Sequence, residues 1–310
     1  MAGEKQAIKA HTVCVSNAHE GQRLDNFVIA QLPGLPRSVV YRVIRKGQVR
    51  VNGGRAKPQA RLMAGDQVRI PPAHISVREP ASIPPKIMTM VRDAIIHQQR
   101  EYLVLDKPAG LAVHGGTGIK WGLIDVLRQL FPGEKLELVH RLDRDTSGCL
   151  LLARDAASLK SLRAQFRLRT TEKRYLCLTH GRFREDRAVV DEALQKTERS
   201  GERIMMVSES GKRSVTEFRL LQHYGAHSFV EALPLTGRTH QIRVHAAFLG
   251  IPLAGDSKYG NPRDTAAWQA KGLSRLFLHA HGLSFDFPET ERQQFNVLLP
   301  EELRKVLDAL

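Results

Sequence analysis

A chain of 310 residues, 42% hydrophobic and 25% charged, has enough apolar material for one large or two moderate folded cores, which excludes disorder as the default state. Lys and Arg number 47 against 32 Asp and Glu, giving a formal charge of +15 and a sequence pI of about 10.1, a balance that favours a polyanionic partner, nucleic acid before membrane. No run of 18 apolar residues is present to span a bilayer, and Cys14, Cys149 and Cys177 lack the CxxC spacing of a structural zinc site or a disulfide framework.

Residues 1–19 are mixed polar, include Glu4 and have no apolar h-region, so they read as an N-terminal extension of a chain that stays in the cytoplasm. The next block, 20–72, is compact and basic. Phe27, Val28 and Leu32 recur at helical spacing, and Val39, Val40, Val43 and Ile44 do so again. Asp25 and Arg37-Ser38 stand where helix starts need side-chain oxygens, Asp25 being expected as a cap. Val49 and Val51 alternate as a strand, Asn52-Gly53 is a tight-turn pair, and Gly65-Asp66 turns into Val68 and Ile70. The block holds ten cations, among them Arg37, Arg42, Arg45, Lys46 and Arg50, against only Asp25 and Asp66. Phosphate contact accounts for that surplus better than a merely solvated helix face. The whole block resembles the S4 RNA-binding domain, from its Arg-Leu-Asp start through Ile44-Arg45-Lys46-Gly47-Gln48-Val49-Arg50-Val51-Asn52-Gly53 to the late Gly65-Asp66; Pro36-Arg37-Ser38 departs slightly from the commoner Ser-Arg order.

Five prolines and little periodicity between Pro71 and Val91 predict an interdomain linker, placed at residues 73–92, ahead of a catalytic domain over 93–310. Within that domain, residues 101–110 read as a strand running into a turn, 122–131 as an amphipathic helix, and 148–153 and 175–178 as apolar strands. The mixture predicts an α+β fold: a small N-terminal domain plus a larger one built on a mixed, mainly antiparallel sheet. His279-Ala280-His281 has no nearby Cys or acidic ligand, so no metal site is expected. Gly115-Gly116-Thr117-Gly118 lacks the Lys-Ser or Lys-Thr ending of a P-loop and reads as a flexible loop.

Two clusters carry chemistry. In Leu138–Arg154 a charged, glycine-containing turn interrupts two apolar segments and crowds His140, Arg141, Asp143, Arg144, Asp145, Thr146 and Ser147 together. A carboxylate set among guanidinium groups is either a structural ion-pair network or a functional acid. In Leu235–Tyr259 a Thr-Gly turn leads into alternating Arg238, His240, Arg243 and His245, a spacing able to present several donors on one face. Taken singly, Thr236-Gly237 reads as a turn, His245 as a satisfied helix histidine, and Lys258-Tyr259 as surface. Together, one cluster offers an unexplained carboxylate and the other offers cations to orient it.

His140-Arg141-Leu142-Asp143 with Thr146-Ser147-Gly148 resembles the signature of the RluA family of pseudouridine synthases. Lys107-Pro108-Ala109-Gly110-Leu111-Ala112-Val113-His114 is similar to the family's first motif, with Asp106 in place of its usual Asn. Lys173-Arg174-Tyr175 and Gly237–His245 follow in the family's order. The S4 arrangement, with Val113–Gly118 and Ser200–Ile204, is most similar to the branch acting on large-subunit ribosomal RNA. The resemblance implies isomerisation of uridine to pseudouridine in 23S ribosomal RNA by a cytoplasmic, monomeric enzyme that uses no cofactor. It implies Asp143 as the catalytic carboxylate, Tyr175 packed on a flipped uracil, Arg243 paired with Asp143, and Arg141 filling the gap left in the RNA. Attack on the sugar, addition to the base and action as a base at the sugar all remain open for Asp143. Two other functions compete: an rRNA-binding assembly factor or chaperone with secondary catalysis, and a glycosidase using Asp145 as a second acid. Arg23-Leu24-Asp25 repeats the catalytic tripeptide without its flanking residues and is assigned a structural role.

Overall fold

The computed structural model describes residues 5–76, 82–115, 119–199, 202–288 and 291–310. The chain divides into two compact units, Met1–Ser82 and Ile83–Leu310.

The first unit contains β1 (Lys5–Ile8), β2 (His11–Cys14), α1 (Leu24–Gln31), α2 (Arg37–Arg45), β3 (Arg50–Val51), β4 (Gln67–Ile70) and β5 (Ala73–Ser76). The helices bury Leu24, Phe27, Val28, Val40 and Ile44 with Val49, Leu62, Val68 and Ile70 in one core. Asn52 and Gly53 both have positive φ, as a type I′ turn requires, and Val51 and Gly54 exchange backbone hydrogen bonds across it. Two expectations need correction. Residues 1–19 are more than an extension, because β2 pairs antiparallel with β4 and β1 with β5; Met1–Glu4 lie outside the described residues. Asp25 caps no helix: Arg23 occupies the N-cap of α1, and no side chain caps either α1 or α2. The buried Asp25 carboxylate instead accepts from Arg23, from the Asn26 amide and from the Tyr41 hydroxyl at 2.7 Å, tying α1 to α2. The Arg23 hydrogen bonds, above all, lower its pKa.

The second unit opens with α3 (Pro85–Asp93), inside the segment read as a linker. Pro84 and Pro85 sit at the N-cap and first turn of α3, where a missing N–H leaves no bond unmade, so these prolines start a helix instead of marking a tether. With β5 at its other end, the 73–92 stretch is largely structured; residues 77–81 lie outside the described residues. Then follow β6 (Ile95–Gln98), β7 (Tyr102–Lys107), α4 (Leu123–Leu130), β8 (Glu137–Leu138), β9 (Ser147–Ala153), α5 (Ala156–Leu168) and β10 (Glu172–Thr179). After them come β11 (Arg187–Asp191), β12 (Leu194–Arg199), β13 (Glu202–Val207), β14 (Val215–Tyr224), β15 (His227–Pro234), α6 (Gln241–Phe248), α7 (Pro262–Ala270), β16 (Leu278–Asp286), β17 (Arg292–Asn296) and α8 (Glu301–Asp308). The glycine loop read at 115–118 falls, apart from Gly115, outside the described residues.

Ten strands form one sheet in the order β11-β14-β15-β10-β16-β9-β7-β6, with β17 on β16 and β8 on β9, while β12 and β13 form a separate hairpin. Every pairing in the large sheet is antiparallel except β16 with β9. That makes the fold α+β on a mixed, mainly antiparallel sheet. The centre is covered on both faces, which explains why β9 reads as a continuous apolar run. Leu103, Leu105, Leu150 and Leu152 pack toward α4, and Tyr102, Val104, Cys149 and Leu151 pack with Leu162 of α5. At the parallel crossing Gly148 has φ +112, and a β-carbon there would collide with the Ala280 backbone. The glycine of Thr146-Ser147-Gly148 therefore permits β9 and β16 to meet, and the turn before it sits at their shared edge.

Candidate active site

The turn from Val139 to Thr146 is held from below. Lys107, fully buried at the end of β7, donates from Nζ to the carbonyls of Pro108 (2.8 Å), Leu111 (2.9 Å) and Arg144 (3.1 Å). The Gly110 amide also donates to the Arg144 carbonyl, and the Arg144 guanidinium returns a bond to the Gly110 carbonyl. Leu142, Thr146 and Ser147 are buried, Ser147 Oγ lying 2.9 Å from His279 Nδ1 and accepting from Arg275. These anchors leave Asp143 half-buried between them. His140 faces inward: it stacks on Phe166 at 4.7 Å, its Nε2 accepts from the Leu151 amide at 3.1 Å, and burial pushes its pKa down to about 3. An imidazole that accepts from a backbone amide is neutral and structural.

The second cluster closes over Asp143 from α6. Arg243 is 6% exposed and makes a bidentate pair with Asp256, both bonds at 2.7 Å, leaving Nη1 4.0 Å from the Asp143 carboxylate. The principal partner of Arg243 is thus Asp256, with Asp143 its second neighbour. Asp256 is fully buried and also accepts from the Lys258 and Tyr259 amides. The Arg243 and backbone hydrogen bonds outweigh desolvation and lower its pKa. The Arg243 guanidinium lies over the Tyr259 ring at 5.1 Å, and the Tyr259 hydroxyl lies 2.7 Å from His240 Nδ1. His240 Nε2 is 3.8 Å from Asp143 Oδ2. Burial lowers the His240 pKa against the opposing pull of Asp143. His240 stands at φ +54, an uncommon region for a residue with a side chain, at the N-cap of α6.

Tyr175 enters from β10. The pairing of β10 with β16 slips between Arg174 and Leu176, so Tyr175 stands at a bulge, the device that re-aims a side chain out of a ladder. Burial, with Asp143 nearby, pushes its hydroxyl pKa well above the ordinary tyrosine value.

Asp143, Arg141, Tyr175, His240 and Arg243 line one pocket of about 520 Å³, the size of a small-molecule site. Arg167, Arg169, Lys173 and Arg238 also line it, and burial with Arg169 nearby brings the Lys173 pKa down to about 8. Among the described residues Asp143 is the only carboxylate lining this pocket; Asp145 is exposed and pairs loosely with Arg144 at 4.0 Å. The two-acid arrangement of a glycosidase is not present there. His279 and His281 are engaged with Ser147 and Glu231, and no group of three or more His, Cys, Asp or Glu among the described residues is placed to hold a metal.

Of Arg238, His240, Arg243 and His245, the first three line the pocket and the fourth is the helix histidine, engaged through its Nε2. His245 is fully buried and bonds the Glu192 carbonyl, while His240 and Arg243 reach the pocket. Lys258 is surface, paired with Glu202, but Tyr259 is not. Asp256 went unread in the sequence. The signal available was that a buried arginine needs a carboxylate, and Asp256 is the sole acid between Glu231 and Asp264. In the first unit, Arg37, Arg42, Arg45 and Lys46 are exposed and Arg50 half-buried, and none has an ion-pair partner among the described residues.

The fold and the cation-rimmed pocket with its one carboxylate among the described residues suit a pseudouridine synthase, an isomerase, and sequence similarity shows that class. A family profile described as RNA pseudouridylate synthase matches residues 101–248, and the S4 domain profile matches residues 22–68. The chain is 46% identical to the ribosomal large subunit pseudouridine synthase C of Pasteurella multocida (strain Pm70), covering 98% of this chain and 94% of that one. It is 43% identical to the enzyme of the same name from Escherichia coli (strain K12), covering 100% and 99%. Among solved structures, human RNA pseudouridylate synthase domain containing 4 superposes with a TM-score of 0.60 at 27% identity, covering 72% of this chain and 95% of that one. The chain belongs to the RNA pseudouridylate synthase family, in its RluA group, with an S4 domain on its N-terminal side.

Proposed function

We propose that this enzyme converts specific uridines of 23S ribosomal RNA to pseudouridine in the cytoplasm, with Asp143 as the essential carboxylate. The observation that carries this reading is the isolation of Asp143 as the only acid among the described residues that line the pocket, beside an arginine clamped by Asp256. The target uridine flips out of its stack into the pocket. The N1–C1′ bond breaks, the freed uracil turns, and C1′ bonds C5; the C5 proton leaves and N1 is left protonated. Tyr175 packs on the flipped base, Arg141 fills the space vacated in the RNA, and Arg243 orients Asp143. The ribosomal target is supported by the names of relatives more than 40% identical along nearly the whole chain. Arg37, Arg42, Arg45, Lys46 and Arg50 of the S4 domain supply phosphate contacts, consistent with their having no ion-pair partner among the described residues.

The test maps pseudouridine across ribosomal and transfer RNA from cells lacking the protein, complemented with the natural sequence or with Asp143→Asn. Loss of large-subunit sites that only the natural sequence restores supports the proposal. Unchanged maps would transfer the reading to an assembly factor that grips RNA without modifying it.

A further inference from the structure

His240 is unusual among the pocket residues because its hydrogen-bonding state can be worked out from its neighbours. The Tyr259 hydroxyl oxygen accepts from the Met205 amide at 3.0 Å, so its own proton must be donated elsewhere. His240 Nδ1, at 2.7 Å, is the remaining group within hydrogen-bond reach of that hydroxyl among the described residues. Assigning Nδ1 as the acceptor satisfies the Tyr259 hydroxyl proton within the protein and puts the ring's own proton on Nε2. Nε2 lies 3.8 Å from Asp143 Oδ2, too far for a good hydrogen bond, and has no other partner among the described residues. A donor held in one tautomer, on a left-handed backbone, is thus presented to the pocket beside the carboxylate.

We propose that His240 recognises the uracil base, its Nε2–H donating to a ring carbonyl of the flipped nucleotide. The assignment rests on the reading of the Asp143 pocket as the uracil site. Uracil has carbonyls at positions 2 and 4 and offers no other comparable acceptor once N3 carries its proton. Rejoining through C5 turns the ring half a turn about the axis through N3 and C6, which exchanges those two carbonyls. One fixed donor therefore meets a carbonyl both before and after the rearrangement. Burial of His240 next to Arg243 acts in the same sense, since it favours the neutral ring.

The experiment uses the full-length protein and a synthetic ribosomal RNA fragment that it converts, with the target uridine natural, 2-thio or 4-thio. Sulfur is a weak acceptor, so one thio substitution lowers wild-type kcat/KM about tenfold. His240→Asn suits the left-handed backbone but has no donor at the Nε2 position. It lowers kcat/KM on natural RNA by about 10- to 100-fold, and the penalty for that thio substitution shrinks to about twofold or less. Tyr259→Phe keeps the imidazole but frees its tautomer; a smaller loss with the same blunted penalty supports the assignment even if His240→Asn folds poorly. Full thio penalties in both variants, or wild-type kcat/KM in His240→Asn, would overturn it, the first result placing the effect of His240 on Asp143. Asp143→Asn is run alongside. If it is inactive while the thio penalties stay additive, only the His240 assignment fails; if it converts natural RNA normally, the uracil-site reading fails with it.

Discussion

The Asp143 pocket and the exposed face of α2 are both rich in arginine, and they use it in opposite ways. Arg243 is buried and held by Asp256 along the Nε–Nη2 edge of its guanidinium before any substrate arrives. Arg37, Arg42 and Arg45 stand in solvent, with Arg45 turned toward Tyr41 and no ion-pair partner for any of the three among the described residues. On the proposed function, chemistry at one carboxylate needs charges that do not have to reorganise when the base enters, and a cation already held in place meets that need. On the same proposal, binding to phosphates gains from counterion release, to which a cation already paired within the protein contributes less, and unpaired cations on the helix suit that task.

The largest expected effect that sharpens this contrast is that of Asp143→Asn. Turnover on substrate RNA falls by about 10³-fold or more while the RNA dissociation constant changes by less than about threefold. A parallel loss of binding would mean that Asp143 is part of the grip and would blur the distinction. Next comes Asp256→Ala, which strands a buried guanidinium and costs about 3–5 kcal/mol in stability, read as a lower melting temperature. Activity measured well below the melt falls in kcat more than in KM. A variant as stable and active as the natural sequence would show that Arg243 needs no clamp. The triple variant Arg37→Ala, Arg42→Ala, Arg45→Ala should act mainly through KM and reduce the slope of log K against log salt by about 2–3. An unchanged salt slope would remove α2 from the RNA interface.

The smallest effect concerns pH. Lys173 lines the pocket with its pKa lowered to about 8, so its ammonium is present below that pH and is lost as pH rises through it. If that charge helps hold RNA, kcat/KM falls by about three- to tenfold above pH 8, and Lys173→Arg, which stays charged, flattens the decline. A decline that persists unaltered in Lys173→Arg would assign the pH dependence to another group.

Much of this was legible in the chain. The alternation and apolar runs predict β9, β10, α1, α2 and α4 because one buried face or two leaves a period in the sequence. Two prolines misled at 84 and 85, since the same residue that breaks a helix interior is well suited to a first turn. Asp25 misled in a similar way: its place near a helix start suggested a cap, whereas a neighbouring arginine and a tyrosine from α2 captured it.

Read alone, the chain announces β9, β10, α1, α2 and α4, the basic surplus of the first unit and the two motif clusters, because these are local signals, whereas β1, β2 and α3 escape it. Tertiary structure decided how the groups meet. It seated Arg243 on Asp256, put Tyr259 under the guanidinium and against His240, and placed a bulge at Tyr175 so that it lines the Asp143 pocket. Burying a guanidinium demands a carboxylate, but the path of the backbone decides which carboxylate arrives, and no periodicity in the sequence records that.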